Sequence, residues 1–250
     1  MDPGLIVRWI VVWNSRGYLF KGVLAAIELA GTVLVTGTLL GAILGLLRVV
    51  AAGRLQRLFA AIVQFLRAVP LLLLLFFVFF GLPALGLDIP VFLSAVIAIT
   101  LSMGVNTAEV VRGAIQSIPR GQSEAAFSTG LGHWQTMRYV VFPQAVRRMI
   151  PPFVGLCTIL IKDTSLAAII GVFELTRAAQ ETIERTFRSF EIYLSVAVIY
   201  FAMCFPLTTL SRALERRLAA PGLLGGEVVP SPGRSKASAA APRPVTSLEA

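Results

Sequence analysis

The chain has 250 residues, 56% hydrophobic and 14% charged, with a mean hydropathy of +0.82. A soluble domain carries roughly 25% charged residues, so a water-soluble globule is excluded and an all-α polytopic membrane protein is expected. The net charge of +9 sits at the ends of apolar blocks, which fits membrane orientation and gives no reason to expect a nucleic-acid partner.

In chain order, residues 1–22 open with GLIVRWIVVW, a short apolar run interrupted by Arg8 with no small-residue cleavage site after it. This predicts an amphipathic interfacial segment with Trp9 and Trp13 at headgroup depth rather than a cleaved signal. Five apolar blocks follow, each near the ~20 residues that cross ~30 Å of hydrocarbon as a helix. They run from about Val23 to Leu47, Leu58 to Leu82, Val91 to Val111, Pro152 to Phe173 and Ile192 to Leu210. With the C-terminus inside, inner segments hold eleven basic residues between Arg48 and Arg217, and outer segments hold six between Arg8 and Arg188. That bias predicts the N-terminus outside and the C-terminus inside. Residues 219–250 are rich in Ala, Pro, Gly and Ser; with few large apolar groups to offset ordering entropy, they read as a disordered cytoplasmic tail.

Gly37, Gly41 and Gly45 form one small-residue face in the first block, suited to close helix packing. QFLRAVP in the second block holds Gln64, Arg67 and Pro70. The proline removes a donor and predicts a bend; Arg67 either snorkels to the inner headgroups or touches solute. Glu109 and Arg112 are spaced for a local ion pair beside Asn106. Lys162 and Asp163, followed by Thr164 and Ser165, lie in the fourth block, where a charge costs roughly 2.5–3.5 kcal/mol on insertion scales. They belong either to a translocation path or subunit interface, or to a satisfied contact between helices. ELTRAAQETIERTFRSFE, before the last block, is too charged to span. It reads as a solvated amphipathic helix or as a surface that meets a partner. Cys157 and Cys204 lie in apolar blocks and imply neither disulfide nor metal. His133, the one histidine, makes no metal site.

Between the third and fourth blocks lies SEAAFSTGLGHWQTMRYVVFPQAVRRMIPP, Ser123 to Pro152, within a polar loop at about 112–151. Pro119 starts a short helix and Gly130 or Gly132 ends it. A second helical piece, punctuated by Pro143 and Pro151-Pro152, leads to the next span. The pair makes either an inward knob, with small Ala125 and Ala126 and the carboxylate of Glu124 offered to a partner, or an amphipathic loop lying on the headgroups.

These residues resemble a known family. EAA, Gly130 four residues after Ala126, and VVFPQAVRRMIPP match the cytoplasmic loop signature of binding-protein-dependent ABC importer permeases. AEVVRGAIQSIPRGQ, KDTSLAAIIGVFELTRAAQ and FEIYLSVAVIY look like its polar amino acid branch, which handles histidine, glutamate, glutamine, arginine and opines. The likeness covers about Lys21 to Leu218. It implies a type I ABC importer transmembrane domain, with Glu124, Ala125, Ala126 and Gly130 as the residues that couple to a cytosolic ATPase dimer. It also implies a second permease subunit, identical or related, an extracytoplasmic solute-binding protein, and ATP and Mg on the partner ATPase. No G-x-x-x-x-G-K-[ST] phosphate loop occurs, so no ATP hydrolysis is expected on this chain. Departures from the family pattern are Ala68 and Val69 before Pro70, Leu74 where a glutamine is usual, and Gly155 where an asparagine is usual. These remove polar groups from the presumed path. The rivals are a self-sufficient ion-coupled carrier, a permease of another ABC branch, and a non-transporting membrane scaffold.

Overall fold

A computed structural model describes residues 3–218; the tail expected at 219–250 lies outside the described residues. In chain order the elements are α1 (Pro3–Val50), α2 (Gly53–Ala68), α3 (Leu71–Phe76), a π-turn (Phe77–Gly81), α4 (Leu82–Ala84), α5 (Val91–Gln116) and α6 (Arg120–Ser128). There follow α7 (His133–Thr136), a second π-turn (Met137–Val141), α8 (Phe142–Asp163), a 3-10 turn (Thr164–Ile170), α9 (Leu175–Thr186) and α10 (Ser189–Leu218). No strand occurs among the described residues.

Helix α1 has 48 residues, about 70 Å at 1.5 Å per residue, and runs unbroken through position 22, where a separate interfacial segment was expected to end. Its glycine face packs on α5. A Cβ built on Gly41 would stand 2.4 Å from Thr107 Cβ and 2.6 Å from the Gly104 carbonyl oxygen, and one on Gly45 would stand 2.7 Å from Val111 Cβ. Only glycine permits this approach, which brings the hydroxyls of Thr36 and Thr100 to 2.6 Å. Hydrocarbon offers helices no net hydrophobic drive to associate, so such close packing supplies the adhesion. Around it, Leu29, Val33, Leu74, Leu75, Ala95, Ile99 and Ala167 form the largest buried apolar cluster.

Four helical stretches among the described residues are long and apolar enough to cross a membrane: Trp9–Val50, Val91–Gln116, His133–Ile170 and Ser189–Leu218. A fifth crossing results if α2 and the Leu71–Ala84 stretch count as one, but their axes meet at 99°. The break expected at Pro70 is therefore sharper than a bend. Val69 is pushed to φ −82°, ψ 125° and Pro70 to φ −56°, ψ 137°, as steric conflict between a proline ring and the preceding residue demands.

The helical path that carries the fourth crossing starts well before the expected span of Pro152 to Phe173, at His133 on the knob, because the prolines that suggested separate pieces are absorbed within it. Pro143 follows a π-turn, as Pro83 follows another; widening the preceding turn removes the conflict between the ring and the carbonyl four residues back. The hydroxyl of Ser211 on α10 donates to the Pro151 carbonyl at 3.0 Å. Gly171, at φ +94°, ends the path. Helix α9 buries Leu175, Ala178, Ala179 and Thr182, its apolar residues packing against Leu19, Ala26, Ile192 and Val196.

Candidate coupling knob and intramembrane polar site

The segment after α5 turns at Pro119 into α6, nine residues long. Its end is a Schellman closure. The Leu131 amide donates to the Ala126 carbonyl at 3.2 Å and the Gly130 amide to the Phe127 carbonyl at 3.0 Å, with Gly130 left-handed at φ +83°. Gly130 is thus the elbow between α6 and α7. The Phe127 and His133 rings, 4.8 Å apart between centroids, close the corner. The Gln144 side-chain amide donates to Gln122 at 3.2 Å, and the Arg148 guanidinium donates to the Ser117 hydroxyl at 3.0 Å. The first lashes the knob to α8, and the second ties α8 to the end of α5 from which the knob springs.

Of the four expected coupling residues, Glu124, Ala125 and Gly130 are exposed, while Ala126 is buried. Ala126 lies on the inner side of α6, and Glu124 and Ala125 form its outer surface. A groove of about 330 Å³ beside them is lined by Ile115, Ile118, Arg120, Glu124, Phe127 and Val141, among others. Trp134, 69% exposed, stands on the same knob beside His133.

The intramembrane residues divide. Thr164 is fully buried, its hydroxyl donating to the Ile161 carbonyl at 2.8 Å. Ser165 donates to the Lys162 carbonyl at 2.6 Å. Lys162 is exposed and Asp163 half-buried, and neither forms an ion pair among the described residues. A lysine exposed on the side of a membrane-crossing helix asks for water or a partner chain.

Arg67 is placed differently from either expectation. Its Nη1 lies 3.6 Å from Glu109 Oε2, which also accepts from Arg48 Nη1 at 2.7 Å, while Arg112 pairs with Oε1 of the same carboxylate. The Glu109–Arg112 pair was expected; the convergence of Arg48 and Arg67 was not. One signal could have found Arg48: continuing the Gly37-Gly41-Gly45 face by one turn places it opposite Glu109. Pro70 sits three residues past Arg67 and caps α3, accepting from Leu73 and Leu74 at 2.9 and 3.2 Å. Asn106 donates to its own helix at Ser102, 2.9 Å away, a structural role.

At the opposite end of the bundle, Glu174 is fully buried as the N-cap of α9. It accepts from the Arg177 amide at 2.8 Å and from the Tyr200 hydroxyl at 2.9 Å. Burial raises its pKa above the ordinary value of 4.5, against the lowering pull of those bonds. Glu181 is shifted the other way, by the Tyr18 hydroxyl first and by Arg177 after it. The charged segment before α10 is therefore an amphipathic helix with one face packed on α1. No cluster of three or more His, Cys, Asp or Glu suited to a metal occurs among the described residues.

Residues 37–220 match the family described as binding-protein-dependent transport system inner membrane component. The "Glutamine transport system permease protein GlnP" of Escherichia coli K12 is 36% identical over 212 residues, covering 84% of this chain and 97% of that protein. The "L-cystine transport system permease protein TcyB" of Bacillus subtilis is 37% identical over 217 residues, 86% of this chain and 93% of that one. Among solved structures, the crystal structure of an amino acid ABC transporter with histidines superposes with a TM-score of 0.80 at 29% identity, covering 84% of this chain and 98% of that one. An inward-facing MetNI methionine ABC transporter, at 20% identity and a TM-score of 0.64, agrees in fold. The architecture is that of a type I ABC importer permease, and the chain belongs to the binding-protein-dependent transport system inner membrane component family.

Proposed function

We propose that this chain is the translocation subunit of an ATP-driven importer of a polar amino acid, coupled through α6 to a separate ATPase. The observation that carries the reading is the α6 elbow: an exposed Glu124-Ala125 surface, held by the Gly130 closure and lashed to α8, on a chain of this family. The relatives named for glutamine and cystine transport support an amino acid as cargo.

In this reading α6 faces the cytosol, the N-terminus lies outside and the C-terminus inside a bacterial inner membrane. A groove on each of two ATPase subunits receives an α6 knob from each of two permease subunits. ATP and Mg bind on the ATPases; this chain binds neither and makes or breaks no covalent bond. Because the Schellman closure and the α8 contacts leave α6 little freedom of its own, ATPase closure moves α8 with it. The nucleotide shifts the inward–outward equilibrium only by its differential affinity for the two states. Lys162 and Asp163 line the path or the second-subunit interface, and a soluble binding protein delivers cargo on the α9 side.

The test is uptake of radiolabelled amino acids into proteoliposomes containing the full assembly, with ATP on the α6 side. Uptake of a polar amino acid that requires ATP and binding protein supports the reading. Uptake that continues without the ATPase overturns it.

A further inference from the structure

Helix α2 turns by 99° from the Leu71–Ala84 stretch with which it would form the fifth crossing, and its placement has a chemistry of its own. Gln56, near its start, donates to the Arg48 carbonyl at 3.5 Å, and Arg67, near its end, lies 3.6 Å from Glu109, the same carboxylate that Arg48 reaches at 2.7 Å. A helix along the membrane normal would separate positions 56 and 67 by about 16 Å in depth; here both ends meet the level of Arg48 and Glu109. The 99° turn at Pro70 agrees, since it takes α2 away from the direction of the residues after it, Leu74, Leu75 and Val78, which share one buried cluster with Ala95, Val96 and Ile99 of α5. Helix α2 therefore lies across the bundle, on the membrane face that carries α6.

Its surface is two-sided. Leu55, Leu58, Ile62 and Phe65, spaced 3, 4 and 3, form one stripe and are 41–68% exposed. Arg54 and Arg57 are exposed beside the stripe, and Val63 is the one residue of the helix turned fully inward. Residues 48–67 contain four arginines and no acid. Among the described residues the one carboxylate that reaches them, Glu109, is already shared by Arg48, Arg67 and Arg112, and neither Arg54 nor Arg57 forms an ion pair. A second copy set on this face by a two-fold axis would bring these arginines against their own counterparts. An anionic surface of amphipathic depth satisfies both the charge and the stripe.

We infer that α2 is an in-plane interfacial helix whose Arg54 and Arg57 bind the headgroups of anionic phospholipids, with the Leu55–Phe65 stripe in their acyl chains. The Arg67–Glu109 contact then ties a lipid-held helix to the Pro70 break, which lets membrane composition act on the second crossing.

The assembled transporter, with Cys157 and Cys204 replaced by alanine, carries a fluorophore on Leu58→Cys and is reconstituted in phosphatidylcholine vesicles. Chain-labelled nitroxide phosphatidylglycerol and nitroxide phosphatidylcholine are titrated as quenchers. The expected result is quenching by both, with a preference for phosphatidylglycerol of about 5-fold per arginine and about 30-fold for the pair. The preference shrinks toward unity in R54Q/R57Q and at high salt. Quenching by neither lipid means that protein covers this face and overturns the inference. Equal quenching by the two means apolar contact without a headgroup site and overturns it as well. The selectivity of the otherwise unaltered chain stands as evidence whether or not the double variant assembles.

Discussion

Gly130 shows how one residue sets the knob. Nothing lies within 4 Å of a Cβ built there, so substitution meets no steric wall; the cost lies wholly in the left-handed backbone, roughly 1–2 kcal/mol for most L-residues. Gly130→Asn, which tolerates that conformation, should keep most ATP-dependent uptake in proteoliposomes. Gly130→Val should lose at least tenfold, by unwinding the Leu131–Ala126 and Gly130–Phe127 bonds, while the spans still insert. Equal uptake by the two variants would show that the elbow geometry is unimportant. Glu109 is the corresponding residue inside the bundle. Glu109→Gln leaves three guanidiniums facing one another without an anion. At 25% side-chain exposure the expected loss falls between surface and buried ion pairs, about 2 kcal/mol, read as a lowered unfolding temperature in detergent. Combining it with Arg67→Gln should cost less than the sum of the two, because the second change relieves part of the repulsion left by the first.

At the scale of elements, α9 is bound to the bundle through two carboxylates with opposite pH behaviour. Burial holds the Glu174 pKa above 4.5, so the folded state binds the extra proton. The stability it contributes is present below the unfolded value and is lost as pH rises through the folded one. The Tyr18 hydroxyl and Arg177 hold Glu181 below 4.5, so its contribution is present above that value and lost as pH falls through the folded one. The protection factor of α9 amides, which divides out the intrinsic pH dependence of exchange, should therefore be highest near pH 4.5 and fall on either side. Glu174→Gln, whose one amide oxygen can accept from the Arg177 amide while its NH2 donates to the Tyr200 oxygen, should abolish only the alkaline limb. An alkaline limb that survives in the variant would remove Glu174 from the explanation. The same scale shows how proline is handled: at 70 the chain breaks, while at 83 and 143 a π-turn lets the helix continue. Proline spacing alone could not separate these cases, since the outcome depends on what packs around the freed carbonyls.

At the scale of the molecule, a single chain leaves Lys162 exposed on a membrane-crossing helix without an ion-pair partner among the described residues. Lys162→Met should insert and express at ordinary levels yet reduce ATP-driven uptake by tenfold or more, or prevent co-purification of a second permease subunit. Unchanged uptake and unchanged assembly would reduce Lys162 to a tolerated polar residue.

Much of this molecule is readable from composition and spacing, because a bilayer imposes length and polarity on each crossing before any tertiary contact forms. The third and fifth blocks, the Gly37-Gly41-Gly45 packing face, the Glu109–Arg112 pair and the α6 turn ending at Gly130 all follow from local periodicity and from residues whose backbone demands are strict. Only the tertiary structure decided the course of α2, the continuity of His133–Ile170 through three prolines, and the gathering of Arg48 and Arg67 on Glu109. Those depend on partners 42 to 61 positions away. A linear pattern records which side a residue occupies on its own helix, but a carboxylate's choice among three cations is made by how the helices cross.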